Sequence, residues 1–133
     1  MPDSELTIGQ ALGAEHRMYL PAVRDLLGRP ELHAMAHITG GGIPGNLSRI
    51  LPEGTGARID CASWTPPAIF AFLERAGEVP RPEMFRAFNM GIGLILACAP
   101  ADVHQVRATL SGHGEPSHLI GEIAAGDRSV RLD

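Results

Sequence analysis

The sequence predicts a single α/β or α+β domain, in which a mixed sheet is layered with helices. Apolar runs short enough for strands alternate along the chain with amphipathic segments that suit helices. A length of 133 residues with 44% hydrophobic residues provides for one domain with its own core. Aromatic residues make up only 5%, so aliphatic side chains must supply most of that core.

The chain is predicted to begin with a linker-like segment, followed by a helix and a strand. Residues 1–20 are polar and mixed, and residues 21–133 are assigned to the domain. Pro21 suits the first turn of a helix that Gly28 ends. The strand is expected over 33–39, where side chains alternate between the two faces of the sheet.

Three consecutive glycines, at positions 40–42, follow this strand. Without Cβ atoms the backbone can approach a ligand closely, and N–H groups at the start of a helix attract phosphate. A short helical segment is expected over 46–51, with Asn46 as its N-cap. A glycine triplet is also common in a simple tight turn, so both interpretations stay open.

The remaining elements are predicted from apolar periodicity and from proline and glycine boundaries. Thr65 is the expected N-cap of a helix with an apolar stripe that ends at Gly77. The apolar run 91–99 is expected to be a central strand. The other expected elements are a strand at 57–60, a helical turn at 83–87, a helix at 101–110 and a hairpin of strands at 117–123 and 129–132.

Charge and composition exclude several classes of function. The net charge of −4 and the pI of about 5.8 predict no partner among nucleic acids or anionic membranes. The chain contains no lysine, so a Schiff base or an ammonium grip on phosphate is excluded. Cys61 and Cys98 are far apart and are expected to be reduced thiols. With neither a targeting signal nor a membrane-spanning run, a cytoplasmic protein is expected.

His37 stands at the mouth of the glycine turn. It shares a strand face with His33, but an extended backbone with no acidic residue between them argues against metal ligation, and no metal site is expected. His37 either fixes the loop through a hydrogen bond to the backbone, or it contacts substrate and moves a proton. Both interpretations stay open.

Two ordered blocks resemble a known family. Residues 36–46 read AHITGGGIPGN and residues 83–93 read EMFRAFNMGIG. They resemble the AHITGGG-x-PGN and EM-[YF]-R-T-F-N-x-G-[IV]-G patterns in the C-terminal half of aminoimidazole ribonucleotide (AIR) synthetases, and the similarity runs from about residue 6 to the end. Around residues 14–21 the chain keeps Arg17 and Tyr19 but lacks the family's Pro-Thr pair, and Ala87 stands where Thr is common.

The resemblance implies a PurM-like C-terminal domain of a phosphoribosylformylglycinamidine cyclo-ligase. Such a ligase uses ATP to close the imidazole ring of formylglycinamidine ribonucleotide, which gives AIR in purine biosynthesis. ATP and Mg²⁺ are then expected to bind mostly through an N-terminal half that this chain lacks, so the isolated chain is expected to be inactive. The missing half is the implied partner, and a homodimer stays open because the family's dimer contacts lie largely in that half.

The resemblance also implies roles for particular residues. His37 is the expected catalytic residue, and Arg86 is the expected phosphate clamp, with an ion pair to Glu83 as the alternative role. A non-catalytic binding or regulatory module is the alternative function, and the block at 83–93 argues against sister enzymes such as thiamine-monophosphate kinase. The residues expected to bind substrate or phosphate are Thr39, Gly40, Gly41, Gly42, Asn46, Arg86 and Asn89.

Overall fold

The computed structural model describes residues 5–133 of the chain. Helices and strands are interspersed along the chain, and three short 3₁₀ turns extend or precede helices at Arg24–Leu26, Ser48–Ile50 and Pro100–Asp102. The helices are α1 Ile8–Leu12, α2 Leu20–Val23, α3 Gly42–Leu47, α4 Ala68–Ala76, α5 Arg81–Ala87 and α6 Val103–Gly112. The strands are β1 Ala34–His37, β2 Thr55–Ile59, β3 Leu94–Ala97, β4 Gly121–Ala125 and β5 Val130–Leu132.

The strands form two sheets. One of these sheets is mixed, which agrees with the mixed sheet that the sequence predicted. Strand β2 lies between β4, to which it is antiparallel, and β5, to which it is parallel. Strands β1 and β3 form an antiparallel pair that places His37 opposite Leu94. Strand β3 was expected to be central, but among the described residues it pairs with β1 alone. It also starts later than expected, because Met90 and Gly91 have φ values of 52° and 96° and form a turn.

The predicted C-terminal hairpin is wrong. Strands β4 and β5 do not pair with each other but lie on opposite edges of β2. The connection crosses the start of β2, where the Gly126 amide donates to the Gly54 carbonyl at 3.0 Å and the Ala57 amide donates to the Ser129 carbonyl at 2.9 Å. Glycine at 126 permits this crossing, since a Cβ there would lie 2.9 Å from the Gly56 nitrogen.

Two helix starts also differ from the prediction. Helix α3 begins at Gly42, with Gly41 in the N-cap position, so Asn46 lies inside the helix and is not its cap. Helix α4 begins after Pro67, whose fixed φ suits that boundary, and Thr65 makes no capping hydrogen bond. The linker-like N-terminal segment contains α1, which a capping box between Thr7 and Gln10 starts, but the boundary at residue 20 stays a prediction.

The β1–β3 sheet has a hydrophobic cluster on each face because side chains alternate along a strand. Ala36 and Ile38 belong to the larger cluster, which also contains Ile43, Met84 and Phe85. Met35 packs on the other face against the smaller cluster. The smaller cluster consists of Ala22, Val23, Leu26, Val106 and Leu110. Apolar residues on both sides of the glycine triplet are therefore anchored in the larger cluster.

Neither the two cysteines nor the helices of residues 5–133 have the properties of a reactive thiol or a membrane span. Cys61 and Cys98 are free thiols, as predicted, and both are half-buried. Burial raises the pKa of both thiols, which makes them poor nucleophiles near neutral pH. Within residues 5–133, every helix is too short or too polar to cross a lipid bilayer.

Candidate functional site

The glycine loop, residues 38–42, connects β1 to α3 and is held at both ends. The Ile38 amide donates to the Gly93 carbonyl at 2.8 Å, and the Gly42 amide donates to the Thr39 carbonyl at 3.0 Å. Ile38 and Ile43, which flank the triplet, are buried with 3% and 0% of their surface exposed. The loop is therefore a fixed part of the fold.

The three glycine positions differ in whether the structure requires a glycine there. Gly42 has a φ of 59°, and a Cβ there would overlap the carbonyl oxygen of Phe85 in α5. Gly41 has a φ of 99°, in the left-handed region that side chains disfavour. Gly40 has no such requirement, since a Cβ there would meet no atom within 4 Å. Packing explains Gly42 and backbone conformation explains Gly41, whereas the space beside Gly40 is open.

An open cavity of about 570 Å³ lies between the glycine loop and α5. Its lining consists of Gly41, Pro44, Gly45, Glu83, Arg86 and Ala87. Within residues 5–133, the amides of Gly40 and Gly41 donate to no other group. The two sequence blocks that resemble the family are therefore neighbours, since Gly41 of the first block and Arg86 of the second line the same cavity.

Arg86 supplies the positive charge of this cavity. Its side chain is 70% exposed, and one guanidinium nitrogen lies 3.0 Å from a carboxylate oxygen of Glu83, one helical turn earlier. The ion pair proposed as the alternative role of Arg86 is thus present. Exposed pairs of this kind contribute little to stability. An incoming anion can therefore replace Glu83 as the partner of the planar guanidinium.

Asn46 has its side-chain amide directed into the loop. It is 6% exposed, and its Nδ2 donates to the Gly42 carbonyl at 2.8 Å and, at 3.2 and 3.3 Å, to the carbonyls of Thr39 and Gly40. Its Oδ1 accepts from the Thr39 hydroxyl at 3.3 Å. These bonds hold the loop in shape, and the expected ligand contact of Asn46 stays a prediction.

Two further predicted residues occupy the edges of this region. Thr39 is exposed beside the open space at Gly40. Asn89 is half-buried, and its Oδ1 accepts from the Gly91 amide at 2.9 Å, which stabilises the turn that leads into β3. Neither residue lines the cavity that contains Arg86. Their predicted contacts with a ligand remain untested.

His37 lies outside the wall of that cavity and has its own neighbours. Its Nε2 is 3.2 Å from Nε2 of His16, and its ring centroid is 6.3 Å from that of Tyr19. Sequence reasoning missed both neighbours because they belong to residues 1–20, which were predicted to be a linker-like segment. One signal was present: Gly93, where a Cβ would stand 2.9 Å from Cζ of Tyr19 and overlap its hydroxyl, leaves room for that ring.

Comparison with known proteins confirms the resemblance seen in the two blocks. A family model described as AIR synthase related protein, C-terminal domain, matches residues 3–133. The phosphoribosylformylglycinamidine cyclo-ligase of Carboxydothermus hydrogenoformans is 49% identical over 127 residues, which are 96% of this chain and 37% of that protein. The phosphoribosylformylglycinamidine cyclo-ligase of Trichlorobacter lovleyi is 46% identical over 123 residues, which are 92% of this chain and 35% of that protein. The chain thus spans little more than a third of these relatives.

Solved structures with the same fold include members with other activities. Escherichia coli HypE, a hydrogenase maturation protein, has a TM-score of 0.66 at 22% identity, over 87% of this chain and 36% of that one. Thiamine-monophosphate kinase from Stenotrophomonas maltophilia K279a has a TM-score of 0.56 at 21% identity, over 81% of this chain and 33% of that chain. These likenesses confirm the fold class alone. Since the family model covers nearly the whole chain, the chain belongs to the AIR synthase related proteins, of which it is the C-terminal domain.

Proposed function

We propose that the chain is the C-terminal part of a cytoplasmic phosphoribosylformylglycinamidine cyclo-ligase, which closes the imidazole ring of formylglycinamidine ribonucleotide to AIR with ATP. Relatives between 42% and 49% identical have this activity in their names. The observation that supports a part for this chain is the cavity shared by Gly41 and Arg86. The domain contributes the contacts to a phosphorylated ligand, and it needs the N-terminal half for turnover.

Groups in the cavity and beside it have defined parts in this proposal. The Arg86 guanidinium binds phosphate oxygens through two parallel hydrogen bonds. The free amides of Gly40 and Gly41 donate to the same anion, which approaches closely because neither residue has a side chain. His37 orients the substrate or moves a proton during ring closure. Catalysis of this kind depends on positioning and charge stabilisation.

ATP and Mg²⁺ belong to the proposed reaction but not mainly to this domain. Mg²⁺ prefers carboxylate oxygens. Within residues 5–133, no group of three or more His, Cys, Asp or Glu side chains is placed to hold a metal ion. We assign the ion, most contacts to ATP and any homodimer contacts to the N-terminal half of the full-length enzyme.

Complementation tests this proposal. The chain is mixed with the N-terminal portion of the Carboxydothermus hydrogenoformans relative, and AIR formation and ADP release are measured for the mixture and for each part alone. Turnover is expected in the mixture and in neither part. Binding of formylglycinamidine ribonucleotide without turnover in the mixture would instead support the non-catalytic binding module. In the active mixture, His37→Ala is expected to lower turnover.

Phosphate binding to the chain alone tests the cavity. Inorganic phosphate is titrated while amide NMR signals are followed. Arg86→Ala is expected to weaken binding roughly 13- to 160-fold, because a hydrogen bond to a charged group contributes about 1.5–3 kcal/mol. Glu83→Gln is expected to strengthen it roughly 1.4- to 5-fold, because an exposed ion pair contributes about 0.2–1 kcal/mol.

The matched control is Arg75→Ala, which removes an arginine at the end of α4 that does not line the cavity. Its phosphate affinity is expected to equal that of the unmodified chain. If Arg75→Ala and Arg86→Ala weaken phosphate binding equally, the anion is held by overall charge and the cavity is not the site.

A further inference from the structure

A second cluster of side chains lies at the end of β1, outside the cavity that contains Arg86. The Nε2 atoms of His16 and His37 are 3.2 Å apart, and their ring centroids are 5.2 Å apart. The Tyr19 ring makes edge contacts with both, at centroid distances of 6.1 and 6.3 Å. His16 belongs to the N-terminal strap, residues 14–19, which connects α1 to α2 without helix or strand.

The N-terminal strap is fixed on the C-terminal side of His16. The Arg17 guanidinium lies 3.4 Å from the Glu115 carboxylate. The Tyr19 ring rests against Gly93, where a Cβ would overlap its hydroxyl. Burial raises the pKa of the Tyr19 phenol, against the opposing effect of Arg17, so this ring stays neutral. The packing of the Tyr19 ring against Gly93 holds the strap beside the start of β3, where the His16 ring lies next to His37.

A hydrogen bond between two neutral imidazoles requires one donor and one acceptor. The two rings therefore differ at Nε2: one carries a proton there and the other does not. Whichever ring accepts must carry its proton on Nδ1. For His37, Nε2 is occupied by His16, so Nδ1 is the ring nitrogen left to meet a ligand.

We propose that His16 is a positioning residue, which donates its Nε2–H to Nε2 of His37 and thereby holds His37 as the Nδ1–H tautomer. His37 then presents an N–H donor to an oxygen atom at the mouth of the glycine loop. The assignment of that oxygen to a phosphorylated ligand or an activated carbonyl rests on the proposed function. The contact alone permits either ring to donate, so the direction of the hydrogen bond is what we propose, and testing it needs no ligand.

NMR of the histidine ring nitrogens in the chain tests this assignment without substrate. Long-range ¹H–¹⁵N spectra are recorded at about pH 8.5, where imidazoles are ordinarily neutral. His37 is expected to carry its proton on Nδ1 in the unmodified chain. His16→Ala, which removes the donor, is expected to abolish that signature and leave His37 mainly protonated on Nε2. His16→Gln, whose amide can donate to the same nitrogen, is expected to restore Nδ1–H.

The matched control is His104→Ala, which removes an exposed histidine from α6. It is expected to leave the His37 signature unchanged. The assignment is overturned if His37 carries its proton on Nε2 in the unmodified chain, or if His16→Ala leaves its tautomer as it was. The amide spectrum checks that each variant is folded. If the unmodified chain binds no phosphate, the proposed function is refuted, but the assignment of the His37 tautomer is unaffected. The failure of one proposal can therefore be distinguished from the failure of the other.

Discussion

Gly42→Ala tests whether the glycine at this position is needed for packing of the fold, as distinct from binding of a ligand by the glycine loop. The new Cβ would overlap the Phe85 carbonyl oxygen and stand 2.8 Å from its carbon and 3.0 Å from the Phe88 oxygen. Separating α3 from α5 to relieve this overlap costs about 1–3 kcal/mol, the usual range for overpacking. The φ of 59° adds about 1–2 kcal/mol for a residue with a side chain.

The expected loss of unfolding free energy is therefore about 2–5 kcal/mol. This is a large share of the roughly 5–15 kcal/mol that stabilises an ordinary domain. Urea denaturation followed by far-UV circular dichroism measures it. Gly40→Ala is the matched control: its Cβ would meet no atom within 4 Å, so its stability should change by less than about 0.5 kcal/mol.

Phosphate binding completes the comparison. Gly40→Ala places a methyl group in the open space beside the free amides, so it should weaken phosphate binding while the fold remains intact. Equal urea midpoints for Gly40→Ala and Gly42→Ala would refute the packing argument. Unchanged phosphate affinity in Gly40→Ala would show that the space beside this glycine is not used by the anion.

Two further predictions concern stability. Trp64→Phe removes the donor to the Met90 carbonyl, a buried bond of 2.9 Å, and should lower the unfolding free energy in urea by about 1–3 kcal/mol. Hydrogen bonds from Ser129 lower the pKa of the exposed Asp127 carboxyl, so its contribution is present at neutral pH and lost on acidification. Asp127→Asn should be slightly less stable than the unmodified chain at pH 7, and in urea melts the difference should shrink as the pH is lowered below the ordinary Asp pKa of about 3.9. A difference that persists in acid would contradict this assignment.

Local patterns were sufficient for much of the fold. Met35, Ile38 and the small residues around them predicted β1, and Pro80 and Pro82 predicted the helical turn that lies within α5. The glycine triplet correctly marked a turn with positive φ values. The helix after it was predicted too late because Asn46 is a favourable N-cap type, and its amide instead bonds carbonyls of the preceding loop. An Asn side chain that donates to carbonyls of preceding residues cannot be distinguished, from the neighbouring sequence, from an N-cap Asn that accepts from the amides that follow it.

The sequence by itself determined the family, the presence of a glycine loop after a strand, and the absence of lysine from any phosphate contact. The tertiary structure alone decided that β5 crosses to the far edge of β2, that Gly42 serves packing whereas Gly40 faces open space, and that His16 meets His37. The physical reason is the range of the interactions. Strand alternation and turn chemistry act between near neighbours, whereas these three outcomes depend on atoms brought together from distant parts of the chain.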